Sequence, residues 1–367
     1  MFYHIFAPLS DVSIFFNVFR YVTFRSIAAF ITALFFSYLI GPFFINMLKR
    51  RKAVESIDQD LPDIHQTKAG TPTMGGLIIL CGLLLATFLW NNLSNLYIIL
   101  MIITTVSLGF IGFIDDYLKN FKFRVKGLAP HYKIIGQVAL SIFVVAVIYY
   151  SSPDKSKITR IALPFLKNTY IQLGVFFFVF VMFLIVGTSN AVNLTDGLDG
   201  LAVGTIAIAT FAIGVMAYIK GNYTIASYLK LDFISEAGEL TVFTSGLMGT
   251  LVGFLWYNAK PAQIFMGDTG SLPLGGILAM LAVLIKEEIF FAIVGIIFIV
   301  EALSTILQTF YFKYTRWRTG KGKRIFRCAP LHHHYEMKGL KEEKIVIRFW
   351  IVALLFAAIA FATLKLR

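Results

Sequence analysis

The fold of this 367-residue chain is decided by stretches such as residues 96–116, LYIILMIITTVSLGFIGFIDD. From Leu96 to Ile114 the stretch has no charged residue, and it then ends on the adjacent carboxylates of Asp115 and Asp116. A helix needs roughly 20 mostly apolar residues to cross the hydrocarbon core of a bilayer, so this stretch predicts a membrane-spanning helix with an acidic end. Charge at such a position costs free energy, which indicates that the two aspartates have a function.

The composition of the whole chain is that of a membrane protein. Hydrophobic residues make up 58% of the sequence and charged residues 14%, with a mean hydropathy of +0.77, whereas soluble domains typically carry about 25% charged residues. The sequence therefore predicts an all-α, polytopic membrane protein with a single domain over residues 1–367, in which residues 1–24 form an interfacial segment. Ten segments have the length and polarity of a spanning helix: Ile27–Leu48, Met74–Trp90, Leu96–Ile114, Ile134–Tyr150, Ile171–Gly187, Leu201–Ile219, Thr241–Trp256, Leu272–Ile285, Ile289–Phe312 and Ile345–Leu364.

The basic residues indicate how the chain crosses the membrane. The formal net charge is +13, and lysines and arginines are concentrated in alternate loops, above all in residues 49–68, 119–133 and 316–344. Because cytoplasmic loops carry the excess of Lys and Arg, these loops are predicted to be cytoplasmic and both termini periplasmic. The membrane thereby accounts for the positive charge, and no nucleic-acid partner is expected.

Polar residues recur at every third position in residues 190–200, NAVNLTDGLDG, between the fifth and sixth segments. On a helical turn, Asn190, Asn193, Asp196 and Asp199 would lie along one face and address one volume. Asn, Asp and Gly also favour helix ends, so a cluster of caps and turns is the alternative interpretation.

Asp115 and Asp116 are expected to differ in their roles. On a helix, adjacent side chains point about 100° apart and cannot both address one atom in the same way. We therefore expect one aspartate to face the site and the other to be held by a basic partner. A pair that merely marks the helix end is the alternative, but the macrodipole opposes negative charge at a helix C-terminus.

A further acidic motif is FMGDTGS, residues 265–271. Asp268 lies between two glycines just before an apolar segment, where backbone amides can approach a phosphate. Mg²⁺ in such sites is commonly held by one or two carboxylates, waters and phosphate oxygens, which makes Asp268 the candidate Mg²⁺ ligand. An ordinary turn is the alternative.

Histidines and lysines complete the polar set on the same predicted side. Three consecutive histidines, residues 332–334, do not readily present one tetrahedral set to zinc. Together with the basic residues around them, they favour an anionic substrate. Lys68 and Lys133, at helix entrances, are each placed to neutralise a phosphate. A solvated basic loop at an anionic membrane surface is the alternative.

Taken together, these stretches resemble one family, the polyprenyl-phosphate hexose-1-phosphate transferases. The uninterrupted triple histidine followed by Tyr335 and Glu336 favours the muramoyl-pentapeptide branch over the GlcNAc-1-phosphate branch. The matching stretches span the chain: KAGTPTMGG (68–76), GFIDDY (112–117), NAVNLTDGLDG (190–200), WYNA (256–259) with FMGDTGS (265–271), and APLHHHYE (329–336).

The resemblance implies an enzyme that transfers phospho-MurNAc-pentapeptide from UDP-MurNAc-pentapeptide to undecaprenyl phosphate, forming lipid I and UMP in peptidoglycan synthesis. It implies a homodimer in the bacterial inner membrane, with Mg²⁺ as cofactor and the active site on the cytoplasmic face. The candidate catalytic residues are Asp115, Asp116 and Asp268. The candidate substrate-binding residues, among which Phe265 would stack on the base, are Lys68, Thr73, Lys133, Asn190, Asn193, Asp196, Asp199, Asn258, Phe265, Gln308, His332, His333 and His334.

Two questions stay open at the level of sequence. The lipid phosphate attacks directly, oriented by Asp115 or Asp116, or an aspartate first forms a phospho-enzyme. A GlcNAc-1-phosphate transferase and a transporter of an anionic solute or lipid are the alternative functions. A transporter would more naturally place its polar groups towards the membrane midplane, whereas the polar motifs here are all predicted on one side.

Overall fold

The computed structural model describes residues 1–51, 53, 70–121, 127–163 and 169–365. The α-helices in this part of the chain, in order, are α1 (Phe2–Phe6), α2 (Val22–Arg50), α3 (Gly76–Trp90), α4 (Leu96–Phe121), α5 (Pro130–Ser151), α6 (Lys155–Ile158), α7 (Phe176–Thr195), α8 (Leu201–Gly221), α9 (Tyr223–Leu229), α10 (Ala237–Asn258), α11 (Asp268–Leu284), α12 (Glu288–Val294), α13 (Ile296–Thr319), α14 (Leu331–Glu336) and α15 (Glu342–Ala362). A two-stranded antiparallel sheet pairs β1 (Arg160–Ala162) with β2 (Tyr170–Gln172).

The predicted all-α polytopic architecture is confirmed. Within the described residues, eight helices are long and apolar enough to cross a membrane: α2, α4, α5, α7, α8, α10, α13 and α15. Two shorter apolar helices, α3 with 15 residues and α11 with 17, correspond to the second and eighth predicted segments. The ninth predicted segment is divided between α12 and α13.

Several predicted helix ends were wrong. α4 continues to Phe121, so Asp115 and Asp116 lie inside a helix and do not end it. α7 continues to Thr195, and its predicted first residue, Ile171, instead belongs to β2. Hydropathy detects where an apolar run stops, whereas a helix continues for as long as its backbone hydrogen bonds continue, and polar side chains do not interrupt these.

α11 is the most enclosed helix, and it packs against α4 and α7. Every residue from Thr269 to Leu284 is buried. Small residues allow this close packing, as they commonly do between membrane helices. A Cβ at Gly275 would lie 2.5 Å from the carbonyl oxygen of Thr188, and one at Gly276 would lie 2.0 Å from Leu108. The first residue of α11, Asp268, is thereby fixed between the two helices that carry the other polar motifs.

At the opposite end of α3 from Gly76, the N-terminal segment packs over a buried ion pair. The Arg25 guanidinium donates to the Glu239 carboxylate at 2.6 and 2.8 Å, and Tyr3 covers it with its ring. Some apolar residues of the segment point outward, with Ile14 and Phe15 each 84% exposed. That apolar surface is what an interfacial segment would turn towards lipid.

Candidate active site

The two aspartate motifs meet where α11 begins. Gly267, with φ of 72°, turns the chain so that Asp268 becomes the first residue of the helix. α4 approaches closely here because Gly112 has no side chain: a Cβ would lie 2.1 Å from the carbonyl oxygen of Asp268. As a result, carboxylate oxygens of Asp115, Asp116 and Asp268 lie within 4.8 Å of one another. Hard divalent cations prefer all-oxygen ligands, so this acidic centre is able to hold a metal ion.

Asp116 caps α11. Its Oδ2 accepts hydrogen bonds from the backbone N–H of Thr269 at 2.8 Å and from the Thr269 hydroxyl at 2.6 Å, and its Oδ1 accepts one from the N–H of Asp268 at 3.2 Å. The unpaired amides and the dipole at a helix N-terminus favour a carboxylate there. The two adjacent aspartates thus differ, as expected: basic partners contact Asp115, whereas the start of another helix holds Asp116.

Asp115 and Asp268 share two lysines. The Lys133 ammonium lies 2.9 Å from Asp115 Oδ2 and 2.7 Å from Asp268 Oδ2, and the Lys119 ammonium lies 2.5 and 3.2 Å from the same two atoms. Asp115 is fully buried, whereas the side chain of Lys119 is 38% exposed and that of Lys133 19%. Two carboxylates and two ammonium groups thus alternate in a compact square that opens towards solvent on its lysine side.

Lys119 was missed at the level of sequence. It follows Asp115 by four residues, a spacing that puts both side chains on one face of a helix. The predicted helix ended at Ile114, so the sequence did not indicate that Asp115 and Lys119 share a helix face; the structure does, because α4 continues to Phe121.

Asn193 orients Asp268 from α7. Its amide donates to Asp268 Oδ1 at 2.6 Å and to the Ser271 hydroxyl at 2.8 Å. One turn earlier, Asn190 donates to Gln137 Oε1 at 3.0 Å, which ties α7 to α5. Both asparagines therefore lie on the helix face that was predicted to be polar.

The predicted register of that motif fails after α7 ends at Thr195, because Asp196 leaves helical geometry and Gly200 adopts a φ of 77°. Asp199 instead accepts a hydrogen bond from the N–H of Ala262 at 3.1 Å. Asn258 accepts from the N–H of Gly200 at 3.1 Å and donates to the Ile264 carbonyl at 2.9 Å. Both side chains hold the backbone of the loop that leads into Asp268.

Thr73 and Phe265 lie in paired backbone segments beside the centre. The N–H of Phe265 donates to the Pro72 carbonyl, and the Phe265 carbonyl accepts from the N–H of Gly75, both at 2.8 Å. Thr73 is buried next to Gly267, where a Cβ would lie 2.9 Å from its hydroxyl. Lys68, a candidate phosphate ligand, lies outside the described residues.

The three histidines have three separate partners. His332 contacts Glu301 on α13, His333 Nδ1 lies 2.6 Å from Glu336, and His334 Nδ1 accepts from the N–H of Arg327 at 3.0 Å. Burial and then the nearby charges of Lys338 and Arg327 lower the pKa of His334, which agrees with its acceptor role.

Gln308 organises the loop that precedes the histidines. Its Oε1 accepts from the N–H groups of Ile325 and Phe326 at 2.9 and 3.0 Å, and its amide donates to the Phe326 carbonyl at 3.1 Å. Gln308 and Glu301 both project from α13. The sequence motifs did not identify Glu301, because it is an isolated acid in an apolar helix.

Comparison with known proteins agrees with this geometry. The family model for glycosyl transferase family 4 matches residues 98–286, a range that contains all three centre aspartates. The fold and the site thus define a membrane-embedded glycosyl transferase of family 4.

More specific matches fall inside and beyond that range. The phospho-N-acetylmuramoyl-pentapeptide-transferase signature 1 matches residues 68–80. Three relatives are named phospho-N-acetylmuramoyl-pentapeptide-transferase and match this chain over 367 residues, which is the full length of both chains in each case. The proteins from Thermodesulfovibrio yellowstonii, Desulforapulum autotrophicum and Endomicrobium trichonymphae are 48%, 47% and 45% identical to this chain, respectively. The chain belongs to the phospho-N-acetylmuramoyl-pentapeptide-transferase family, as its motifs had indicated.

Proposed function

We propose that this protein transfers phospho-MurNAc-pentapeptide from UDP-MurNAc-pentapeptide to undecaprenyl phosphate, releasing UMP and forming lipid I. The observation that carries the proposal is the square of Asp115, Asp268, Lys119 and Lys133, in a chain that belongs to this family over its full length. Phosphoryl transfer depends chiefly on positioning the reactants and on neutralising phosphate oxygens. The two lysines of the square supply cations for the phosphate oxygens, and its two carboxylates supply oxygen ligands for a metal ion.

The lysines bind and orient the phosphates in this scheme. The side chains of both lysines are partly exposed, so each ammonium group is able to donate to a phosphate oxygen. The fully buried Asp115 carboxylate stays paired with both ammonium groups from the protein side. Asp115 then orients the lipid phosphate, because the oxygens of Asp116 already accept three bonds from the start of α11.

The acidic centre fits Mg²⁺, which we propose as the cofactor. Its donors are all carboxylate oxygens, and a site with one or two carboxylates completed by substrate phosphates is typical of this ion. Asp268 would hold the ion, with Asn193 keeping its carboxylate in position. Bound there, Mg²⁺ would neutralise charge on the pyrophosphate.

The same end of the helix bundle is proposed to face the cytoplasm of a bacterial inner membrane, with both termini periplasmic. Asp115 and Lys119 lie near the C-terminal end of α4, and Lys133 and Asp268 lie near the N-terminal ends of α5 and α11. The loops richest in Lys and Arg leave from this end, in agreement with the positive-inside rule. A homodimer is proposed from the family resemblance.

In the test, the purified protein is incubated with undecaprenyl phosphate and either UDP-MurNAc-pentapeptide or UDP-GlcNAc. Lipid-linked product and UMP from the first substrate alone support the proposal. Product from UDP-GlcNAc alone, or uptake of label into vesicles without UMP release, would refute it. Asp268→Asn and excess EDTA should each abolish transfer, the latter reversibly on adding Mg²⁺.

The stereochemistry at phosphorus separates the two mechanisms that stay open. A chiral phosphorothioate analogue of the nucleotide substrate should give inverted product if the lipid phosphate attacks directly. Retention would indicate two displacements and thus a phospho-aspartate.

A further inference from the structure

Glu301 is a buried carboxylate that the proposed transfer chemistry does not use. It lies on α13 among apolar residues, and its side chain has no exposed surface. A charged side chain within a membrane helix is costly and usually marks a function. Both of its oxygens face the same residue, His332.

The contact with Glu301 sets the state of the His332 ring. Glu301 Oε1 accepts a hydrogen bond from the backbone N–H of His332 at 3.2 Å, and Oε2 lies 3.1 Å from ring Nδ1. Because Oε1 accepts from the backbone N–H and Oε2 is the acceptor that faces Nδ1, the geometry assigns the ring hydrogen to Nδ1. Nε2 is then left with a lone pair for another partner.

Nε2 of His332 is aimed at the motif that contacts Asp268. It is buried and makes no hydrogen bond within the part of the chain that the structure describes. A Cβ at Gly197 would lie 2.3 Å from it, so only glycine leaves room for the ring. Gly197 lies in the turn after α7, four residues beyond Asn193, whose amide contacts Asp268. An unpaired buried polar atom is uncommon and needs a reason.

We propose that Glu301 is a positioning residue for the transfer reaction. It holds His332 in the form with hydrogen on Nδ1, so that Nε2 accepts a hydrogen bond from a hydroxyl or amide group of the nucleotide-linked amino sugar at the Asp196–Gly197 turn. The inference rests on the proposed function. A carboxylate that fixes the orientation and tautomer of a working histidine is a recurrent arrangement in enzymes.

Glu301→Gln tests this with little change in volume. The Gln oxygen still accepts from the backbone N–H, but its amide group donates to Nδ1, which moves the ring hydrogen to Nε2 and removes the acceptor. We expect kcat/KM for the nucleotide sugar to fall about 10- to 100-fold, the loss of one hydrogen bond to a charged or strongly polar group. KM for the lipid phosphate should stay unchanged.

Two comparisons separate positioning from a structural role. In a His332→Ala background, Glu301→Gln should cost no further activity, because its effect passes through the ring. Glu287→Gln is the matched control: Glu287 is an equally buried carboxylate, paired with Lys220 at 3.0 Å, and its loss should lower Tm without changing kcat/KM. Additive losses in the double variant, or a loss in Glu301→Gln no larger than in Glu287→Gln, would overturn the proposal.

Nitrogen NMR of histidine-labelled protein gives a readout that does not depend on activity. The chain has six histidines, so a His332→Gln variant assigns the signal. We expect hydrogen on Nδ1 in the wild type and on Nε2 in Glu301→Gln. A wild type with hydrogen on Nε2 would overturn the proposal. A wild type without transfer activity would instead refute the proposed function, while the NMR signal would still decide whether Glu301 sets the tautomer.

Discussion

The adjacent residues Asp115 and Asp116 should respond differently to the same substitution. Asp116→Asn keeps a neutral acceptor for the N–H and hydroxyl of Thr269 but turns its amide group, a donor, towards the N–H of Asp268. Hydrogen bonds to a charged group contribute about 1.5–3 kcal/mol each, and one such bond is lost while another is weakened. We expect the free energy of unfolding to fall by about 2–4 kcal/mol, which corresponds to a Tm lower by about 3–5 °C. Because α11 also carries Asp268, a shift of its first turn should reduce activity about 100-fold.

Asp115→Asn is the partner experiment. Its carboxylate contacts two lysines that keep Asp268 as a counter-charge, so Tm should change less than in Asp116→Asn while activity falls further. Thr269→Val, which removes only the hydroxyl donor, should cost about 1 kcal/mol. Thermal unfolding in detergent and UMP release measure the two properties on the same samples. If Asp116→Asn left Tm unchanged and lost as much activity as Asp115→Asn, Asp116 would be a reacting group, and its role as a cap would be refuted.

Three further predictions follow from particular contacts. Gly112→Ala should lower the free energy of unfolding by about 1–3 kcal/mol and reduce the rate of UMP release, because the new methyl group meets the backbone of Asp268. Gly187→Ala is the control, since Gly187 has open space around it, and it should keep full activity. Equal effects of the two substitutions would contradict the close approach of α4 and α11. Lys133→Met should slow transfer about 100-fold or more, because a cationic hydrogen-bond donor is lost. Substitution of the exposed Lys157 by Met should leave the transfer rate unchanged. A fully active Lys133→Met variant would argue against the square as the site. Arg25→Met removes the cationic partner of the largely buried Glu239 carboxylate, so the free energy of unfolding should fall by about 3–5 kcal/mol while turnover per folded molecule stays unchanged. Lost turnover in fully folded protein would contradict the separation of this ion pair from the site.

Much of the candidate site was predictable because its polar residues stand out in an apolar chain. Asp115, Asp116 and Asp268 do meet, and Asn193 contacts Asp268, as expected from motifs that all fell on one predicted side of the membrane. The predicted register failed from Asp196 onwards, where the periodic pattern continued in the sequence but the helix did not.

Two residues could not be found from the pattern. Lys119 looked like one of many basic loop residues until α4 proved long enough to bring it back beside Asp115. Glu301 stands alone in an apolar helix, and only the packing of α14 against α13 places His332 on it.

The sequence by itself determined the class of this protein, because hydrophobic run length and the distribution of positive charge are local properties that the bilayer selects directly. It also indicated that Asp115, Asp116, Asn193 and Asp268 belong to one site, since carboxylates and amides are costly in such a chain. Only the tertiary structure decided how the work is divided: Asp116 caps a helix, Asp115 and Asp268 share two lysines, and Asp199 and Asn258 hold a loop. Those roles depend on distances of 2–3 Å between segments far apart in the chain, which glycine-mediated helix packing sets and no local pattern records.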